Sequence, residues 1–421
     1  MPEPIRVLHF SDAHVGVESF GKTDADTGLS ARLVDFLRRL DDIYHYAAEQ
    51  DVDLVIFAGD AFKTRSPNPT YQREFAHRVR DLAALAPVVL LVGNHDVAPM
   101  VMKASSIEIY ATLEVPNVWV ADEYTVRRID TKRGPVIVGA APYPLRARIL
   151  EHTPTMGLTI QETDAILEET LTEILDNLAE EADQLALAAG EPDLPRLLTG
   201  HFTVDDAVLG SERVFMLGRD IKIPKMIVAD NRWDYVALGH IHKHQNLTDG
   251  RSDVPPVVYS GSIERVDFGE EGDSKGFCWV ELARYATTWQ FVELSARPFV
   301  TIEIDLSQDT IPTKTAIHKI EQYNLRDAIV RLFLDFTPES EARFNEAPVR
   351  DALHRAGVFH VAGIAKRIDQ PARIRLGASP EGLSSRELLE RYLLSKEVTP
   401  ERRAELLEAA LAIFDTVEKR Q

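Results

Sequence analysis

The chemistry of this sequence is concentrated in five short stretches: Asp12-Ala13-His14, Gly59-Asp60, Gly93-Asn94-His95-Asp96, Gly200-His201 and Gly239-His240-Ile241-His242. Carboxylate and amide oxygens suit hard divalent ions, whereas imidazole suits Mn2+, Fe2+ and Zn2+. The mixture of Asp, Asn and several His therefore favours a transition ion over Mg2+ or Ca2+. One carboxylate, most simply Asp60, would bridge two ions ~3.5–4 Å apart, the spacing used for in-line attack on phosphate esters. Such a pair activates water near neutral pH and offsets the charge growing on the phosphorus oxygens. Taken singly, a strand-end Asp or His is more often a cap, a turn or a hydrogen-bonded core residue. Five in this order make the metal reading the stronger one.

The elements that must position these residues are legible as apolar runs. Ile5–Phe10, Leu54–Ala58, Val88–Val92, Val136–Ala140, Arg196–Leu198, Tyr235–Leu238 and Val257–Tyr259 read as strands, several of them bounded by Pro or Gly. Helical spacing runs over Ala31–Gln50 and Asn68–Leu85, and again over the acidic segment Thr159–Ala189, whose Glu and Asp excess reads as a solvated outer face. Alternation of strand and helix by itself implies a sheet with helices on both faces. Ligands of such sheets bind beyond the carboxyl ends of the strands, which puts all five motifs on one rim. Four of the five place Gly directly before the first polar residue, where a sharp turn or close approach to an ion is needed. Asp12/His14 and His240/His242 are i, i+2 pairs, so an extended backbone would point both members the same way.

Near Arg297–Pro298 the pattern changes. Alternating strands at Val300–Leu306 and Val330–Phe336 enclose a helical stretch, the mark of a small α+β domain. Gly377–Pro380 reads as a linker. Ser384–Leu394 and Pro400–Lys419 read as short amphipathic helices with Leu388, Leu389, Tyr392, Leu406, Leu407, Leu411 and Phe414 on their apolar sides.

With 421 residues the chain has room for two or three domains and a large core. No apolar run approaches the ~20 residues of a membrane span. The start, MPEPIRVLHFSDAH, lacks the pattern of a secretory signal. Cys278 is the only cysteine, which excludes an internal disulfide and a thiolate-rich metal site and fits a reducing cytoplasm. The formal net charge of -20 excludes a broad basic surface, so any hold on DNA must be local, metal-borne or supplied by a partner.

The order D-x-H, G-D, G-N-H-D, G-H, G-H-x-H resembles the calcineurin-like metallophosphoesterase superfamily. Within it the chain is similar to the SbcD-type nuclease subunits of SbcCD double-strand-break repair complexes and their archaeal and eukaryotic counterparts. The stretches GDAFKTRSPNP, ALGHIHKHQ and VVYSGSIERVDFGEEGDSKGF carry the narrower match, which runs through Arg297–Pro298. The C-terminal helices match in character more than in motif.

The resemblance implies an α/β fold: a metallophosphoesterase β-sandwich flanked by helices, a small α+β capping domain and a C-terminal helical pair. It implies a nuclease domain over 1–296, a DNA-binding capping domain over 297–376, and a linker with partner-binding helices over 377–421. By the same resemblance Asp12, His14, Asp60 and His242 hold one ion, and Asp60, Asn94, His201 and His240 the other. His95 would face the scissile phosphate, protonating the leaving oxygen or steadying the transition state. Asp96 would either orient His95 or stabilise a turn. Two Mn2+ ions, 3′ to 5′ exonuclease action on duplex ends and endonuclease action on single strands and hairpins are implied. So are homodimerisation, an ABC-type ATPase partner with long coiled coils, and work in DNA repair, recombination and replication at the cytoplasmic nucleoid.

Some family members carry a second histidine three residues after the Gly-Asp carboxylate, where this chain has Lys63. A lysine attracts phosphate but cannot share an imidazole's work at pH 7, which leaves the exo-to-endo balance open. Lys63, Arg65, Lys103, Lys243 and Arg265 could contact phosphates, although each alone reads as an ordinary surface charge. The C-terminal apolar faces suit a groove on a partner helix, or this chain's own core; the resemblance favours the partner. The rival readings are another phosphoesterase activity (a protein phosphatase, a cyclic-nucleotide phosphodiesterase or a nucleotide pyrophosphatase) and a structural subunit with a vestigial site. GDAFKTR lacks the G-D-x-x-D-R-G pattern of Ser/Thr phosphatases, and the site positions all retain usable chemistry.

Overall fold

Strand Ile5–Phe10 shows how the sequence builds its layers. In the computed structural model, Ile5 and Val7 face one apolar cluster while Leu8 and Phe10 face another, as side-chain alternation in a strand requires. The structure describes residues 3–97, 103–151, 157–210, 221–369, 384–396 and 398–418.

Two six-stranded sheets result. The first runs Thr288–Glu293, Gly276–Leu282, Ile5–Phe10, Leu54–Phe57, Val88–Leu91, Val118–Ala121. The second runs Gln245–Asn246, Val257–Tyr259, Tyr235–Gly239, Arg196–His201, Gly134–Ala141, Thr125–Thr131. The middle strands of each are parallel, with Phe10 opposite Phe57 in one and Gly239 opposite His201 in the other. Inward residues of both sheets, among them Val7, Ile56, Val138, Leu197 and Ala237, form one buried cluster. Helices Ala31–Glu49 and Pro69–Leu85 cover the outer face of the first sheet. Helix Ile160–Ala188 covers the second with Leu167, Leu171, Leu175 and Leu178, its polar face turned outward. The single sheet that strand–helix alternation implies is thus a sandwich with helices on its outer faces only. The strands that complete the pairing, such as Gly276–Leu282 opposite Ile5–Phe10, are antiparallel and leave no helix signal between them.

The helix starts follow local chemistry. Asn68 accepts the N–H of Thr70 just before Pro69, and Thr159 with Glu162 forms a reciprocal capping box. Among the polar side chains buried between the sheets is His9, whose ring nitrogens meet the Tyr235 hydroxyl and the Leu238 carbonyl at 3.2 Å each. Burial drives its pKa down to about 3.

The chain divides into two compact units, one of Met1–Ile302, Glu321–Leu332 and Asp351–Ile364, the other of Glu303–Ile320, Phe333–Arg350 and Ala365–Gln421. Strands Phe299–Asp305, Ile329–Phe336 and His360–Ile368 form a three-stranded sheet in that order, and the last of these is absent from the sequence reading. Helices Ser385–Ser395 and Pro400–Glu418 pack on one another. In them Leu388, Leu389, Leu406 and Leu407 are half-buried and Tyr392 is exposed. The side chains of Leu411 and Phe414 and the expected linker at Gly377–Pro380 lie outside the described residues. No helix among the described residues is long and apolar enough to cross a membrane.

Candidate metal centre

The loops that follow the parallel strands are tied to each other before any side chain is considered. The N–H of Asp12 donates to the Gly59 carbonyl at 2.9 Å and that of His14 to the Asp60 carbonyl at 3.1 Å. Asp12, His14, Asp60 and His240 all take positive φ (52°, 40°, 63° and 92°), a region that non-glycine residues rarely occupy. Such conformations cluster where a site over-determines the backbone. They also correct the extended-chain argument for the i, i+2 pairs: Asp12 and His14 do converge, but through left-handed turns. Two glycines make the approach of the loops possible. A Cβ on Gly59, itself at φ 99°, would stand 2.3 Å from His201 Nδ1, and one on Gly93 would stand 2.3 Å from Asp60 Oδ1.

The side chains meet in one pocket. Asp12, His14 and His242 present ligand atoms within 4.8 Å of one another; so do His14, Asp60 and His95, and so do Asp12, Asp60 and His201. Asp60 Oδ2 lies 3.8 Å from His14 Nε2 on one side and 3.5 Å from His201 Nε2 on the other. Asn94 Oδ1 lies 3.0 Å from both His201 Nε2 and His240 Nδ1. Asp12, His14, Asp60 and His201 are almost completely buried, His240 and His242 are buried as well, and Asn94 and His95 are half-buried.

Burial and close charged neighbours shape the electrostatics of this pocket. Burial pushes Asp60 upward, yet His201, His95 and His14 around it hold its carboxyl well below the usual range. Burial raises Asp12 against the pull of His242 and His201. It drives His14 well down, helped by the neighbouring His242. His201 is the exception: burial opposes its protonation, but Asp60 and Asp12 together lift it to about 9. The Nε2 atoms of His14 and His242 face each other at 2.8 Å. Two neutral imidazole lone pairs cannot share that line unless a proton or a cation lies between them. His14 Nδ1 is buried without a hydrogen-bond partner. Carboxylates, imidazoles and an amide oxygen around such a gap fit divalent metal ions.

Several supporting contacts were not legible beforehand. His95 Nδ1 meets the Lys63 carbonyl at 2.8 Å, and the His95 N–H donates to Asp60 Oδ1 at 2.7 Å. Asp96 therefore does not orient His95. Its carboxylate accepts the N–H groups of Asp60, Ala61 and Gly93 and the Ser106 hydroxyl, the loop-stabilising alternative. Burial beside Asp60 raises Asp96 to about 7. His201 Nδ1 meets the Ala58 carbonyl at 2.6 Å, and His242 Nδ1 meets Glu270 at 2.7 Å. Burial alone would raise Glu270, but Lys275 and His242 hold it below its ordinary range. Tyr143 stands over the other half, its ring centre 5.8 Å from that of His240.

Of the basic residues, Arg265 is committed to the backbone, donating to the carbonyls of Glu270, Asp273, Ala296 and Arg297. Arg65, Lys103 and Lys243 are exposed and Lys63 is half-buried.

The calcineurin-like phosphoesterase family matches residues 5–244, which span every motif of the centre. Among curated proteins, the SbcD component of the nuclease SbcCD from Bacillus subtilis is 26% identical over 70% of this chain and 71% of its own length. Its namesake in Escherichia coli K12 is 31% identical over 64% of this chain and 63% of its own, so the chain spans less than two thirds of that relative. A dimetal phosphatase from Danio rerio, of known structure, aligns at 13% identity and a TM-score of 0.38 over 68% of this chain and 98% of its own.

Proposed function

This chain belongs to the calcineurin-like phosphoesterase family, and from that premise we propose that it is a DNA phosphodiesterase of the SbcD type using two Mn2+ ions. Asp12, His14 and His242 would hold one ion and Asn94, His201 and His240 the other, with Asp60 shared. The ions would supply an activated water and charge neutralisation at the phosphate. The observation that carries this reading is the placement of Asp60 Oδ2 between His14 and His201, at 3.8 and 3.5 Å.

The chain's own residues do the rest. Glu270 and the Ala58 carbonyl hold the rings of His242 and His201. Asp96 fixes the loop that presents Asp60. His95, held at Nδ1 by the Lys63 carbonyl, has Nε2 free to hold or deliver a proton at the leaving oxygen. Lys63 and Arg65 add positive charge beside an otherwise acidic chain, whose -20 balance favours help from a partner in holding DNA.

By similarity to the SbcD proteins, the proposal extends to 3′ to 5′ exonuclease action on duplex ends and endonuclease action on hairpins and single strands. It also extends to a homodimer working with a coiled-coil ABC-type ATPase at the nucleoid. The divisions 1–296, 297–376 and 377–421 would then serve as nuclease domain, DNA-binding cap and ATPase-docking segment. The test compares Mn2+-dependent cleavage of linear duplex and hairpin DNA, with and without the ATPase, against a phosphopeptide and cyclic AMP. Cleavage of DNA that Asp60→Ala abolishes is expected. Hydrolysis of the small esters with no DNA cleavage, even with the ATPase present, would contradict it.

A further inference from the structure

Glu270 and Lys275 are a fully buried ion pair, 2.8 Å apart, in the segment that closes over His242. Removing two charges from water is expensive, and replacing such a pair by apolar side chains is often neutral or stabilising. Stability alone is therefore a poor reason for it. Its contacts give another. One oxygen of Glu270, Oε2, accepts from Lys275 Nζ, from the Val266 N–H at 3.1 Å and from the Ser262 hydroxyl at 3.3 Å. The other, Oε1, points at His242 Nδ1. Lys275 also donates to the His242 carbonyl at 3.0 Å, so the same pair grips the ring and the backbone of one residue. Asp267 opens the short turn Phe268–Glu270 by accepting the Gly269 N–H, which sets Glu270 in place.

We infer that Glu270, backed by Lys275, is a positioning residue that fixes the ring and tautomer of His242 for a divalent cation, and thereby sets the affinity of the half-site built from Asp12, His14 and His242. The inference rests on the proposed function in taking the centre to bind such ions. A carboxylate only accepts, so Nδ1 must carry the ring proton and Nε2 is left with its lone pair, facing His14 Nε2 at 2.8 Å. The other half-site is arranged differently: His201 Nδ1 meets a main-chain carbonyl, which side-chain substitution at Glu270 leaves alone.

This asymmetry makes the inference testable by titrating the full-length chain with MnCl2 alone in a calorimeter, alongside Tm measured in chelator. In Glu270→Gln the amide oxygen must take the Oε2 position, where Val266 and Ser262 donate, which turns the NH2 toward Nδ1. The ring then accepts there and carries its proton on Nε2, where it blocks the ligand position. One of the two Mn2+ sites should weaken about 10–100-fold while the other is unchanged. The variant Glu270→Gln/Lys275→Met removes the buried ammonium, which Glu270→Gln leaves with Asp273, 3.9 Å away, as its carboxylate partner, so its Tm should recover toward wild type while the weakened site stays weak. It also carries the test should Glu270→Gln alone fail to fold. Wild-type titration by Glu270→Gln, or affinity returning together with Tm in the double variant, would overturn the inference. A wild-type chain that takes up no Mn2+ would instead refute the proposed function.

Discussion

Gly93→Ala is a one-carbon probe of the shared carboxylate. A Cβ at position 93 would lie 2.3 Å from Asp60 Oδ1 and 2.5 Å from Asp60 N. Comfortable heavy-atom contacts lie near ~3.5 Å, so relief requires a shift of about 1 Å. A rotamer change at Asp60 cannot supply it, because the clash with Asp60 N is with its backbone. The loop itself must move, yet Asp60 N is held by Asp96 at 2.9 Å and its Oδ1 by the His95 N–H at 2.7 Å. A misplacement of about 1 Å in reacting geometry costs about 10²-fold in rate, and overpacking costs ~1–3 kcal/mol of stability. Gly272→Ala is the control, since no atom lies within 4 Å of the added carbon. The assay is Mn2+-dependent release of label from linear duplex DNA, with Mn2+ affinity and Tm measured in parallel. Gly93→Ala should lose about 10²-fold in rate and bind Mn2+ more weakly while Gly272→Ala does neither. Cleavage by Gly93→Ala at the wild-type rate would show that the placement of Asp60 does not depend on a glycine at position 93.

Three further outcomes follow from the same geometry. His95→Ala keeps its backbone N–H on Asp60, so it should retain Mn2+ uptake in calorimetry yet lose about 10²–10⁴-fold in cleavage; normal cleavage would remove His95 from its assigned role. Asp96→Ala strands the N–H groups of Asp60, Ala61 and Gly93, at about 1–3 kcal/mol for each one left unpaired, and denaturant unfolding should show a loss of several kcal/mol. His9 is held neutral with its pKa near 3, below the ordinary 6.5, so the stability it contributes is whole above about 6.5 and drains away as pH falls toward 3. Over that window the unfolded chain binds the extra proton, and stability should fall by about 1.4 kcal/mol per pH unit more steeply in wild type than in His9→Gln. Parallel pH–stability curves would contradict that.

How far the sequence carried this account depended on where each signal sat. The motif-bearing strands were legible because they are short, doubly buried and apolar: Ile5–Phe10 has the expected ends, and Leu54–Phe57, Val88–Leu91 and Tyr235–Gly239 differ by one residue. Edge strands such as Thr125–Thr131 and Thr288–Glu293 were missed because their polar faces resemble loop sequence. The Asp, Asn and His residues that the structure brings together stand at or just past the ends of strands, where the sequence could mark them, whereas Tyr143 carried no such mark. The left-handed backbones of Asp12, His14, Asp60 and His240 were not legible, because Asp and His, though more tolerant of positive φ than most residues, adopt it only where tertiary contacts impose it. Nor were the supports: Glu270 lies 28 positions from His242, and the Lys63 and Ala58 carbonyls that hold His95 and His201 are main-chain atoms that no residue pattern records.

A crystal of the full chain grown with MnCl2, with diffraction data collected at the manganese edge, would locate the ions. Two anomalous peaks about 3.5–4 Å apart are expected with Asp60 between them, one against Asp12, His14 and His242 and the other against Asn94, His201 and His240. A single peak, or ions bound away from Asp60, would contradict the shared two-ion site.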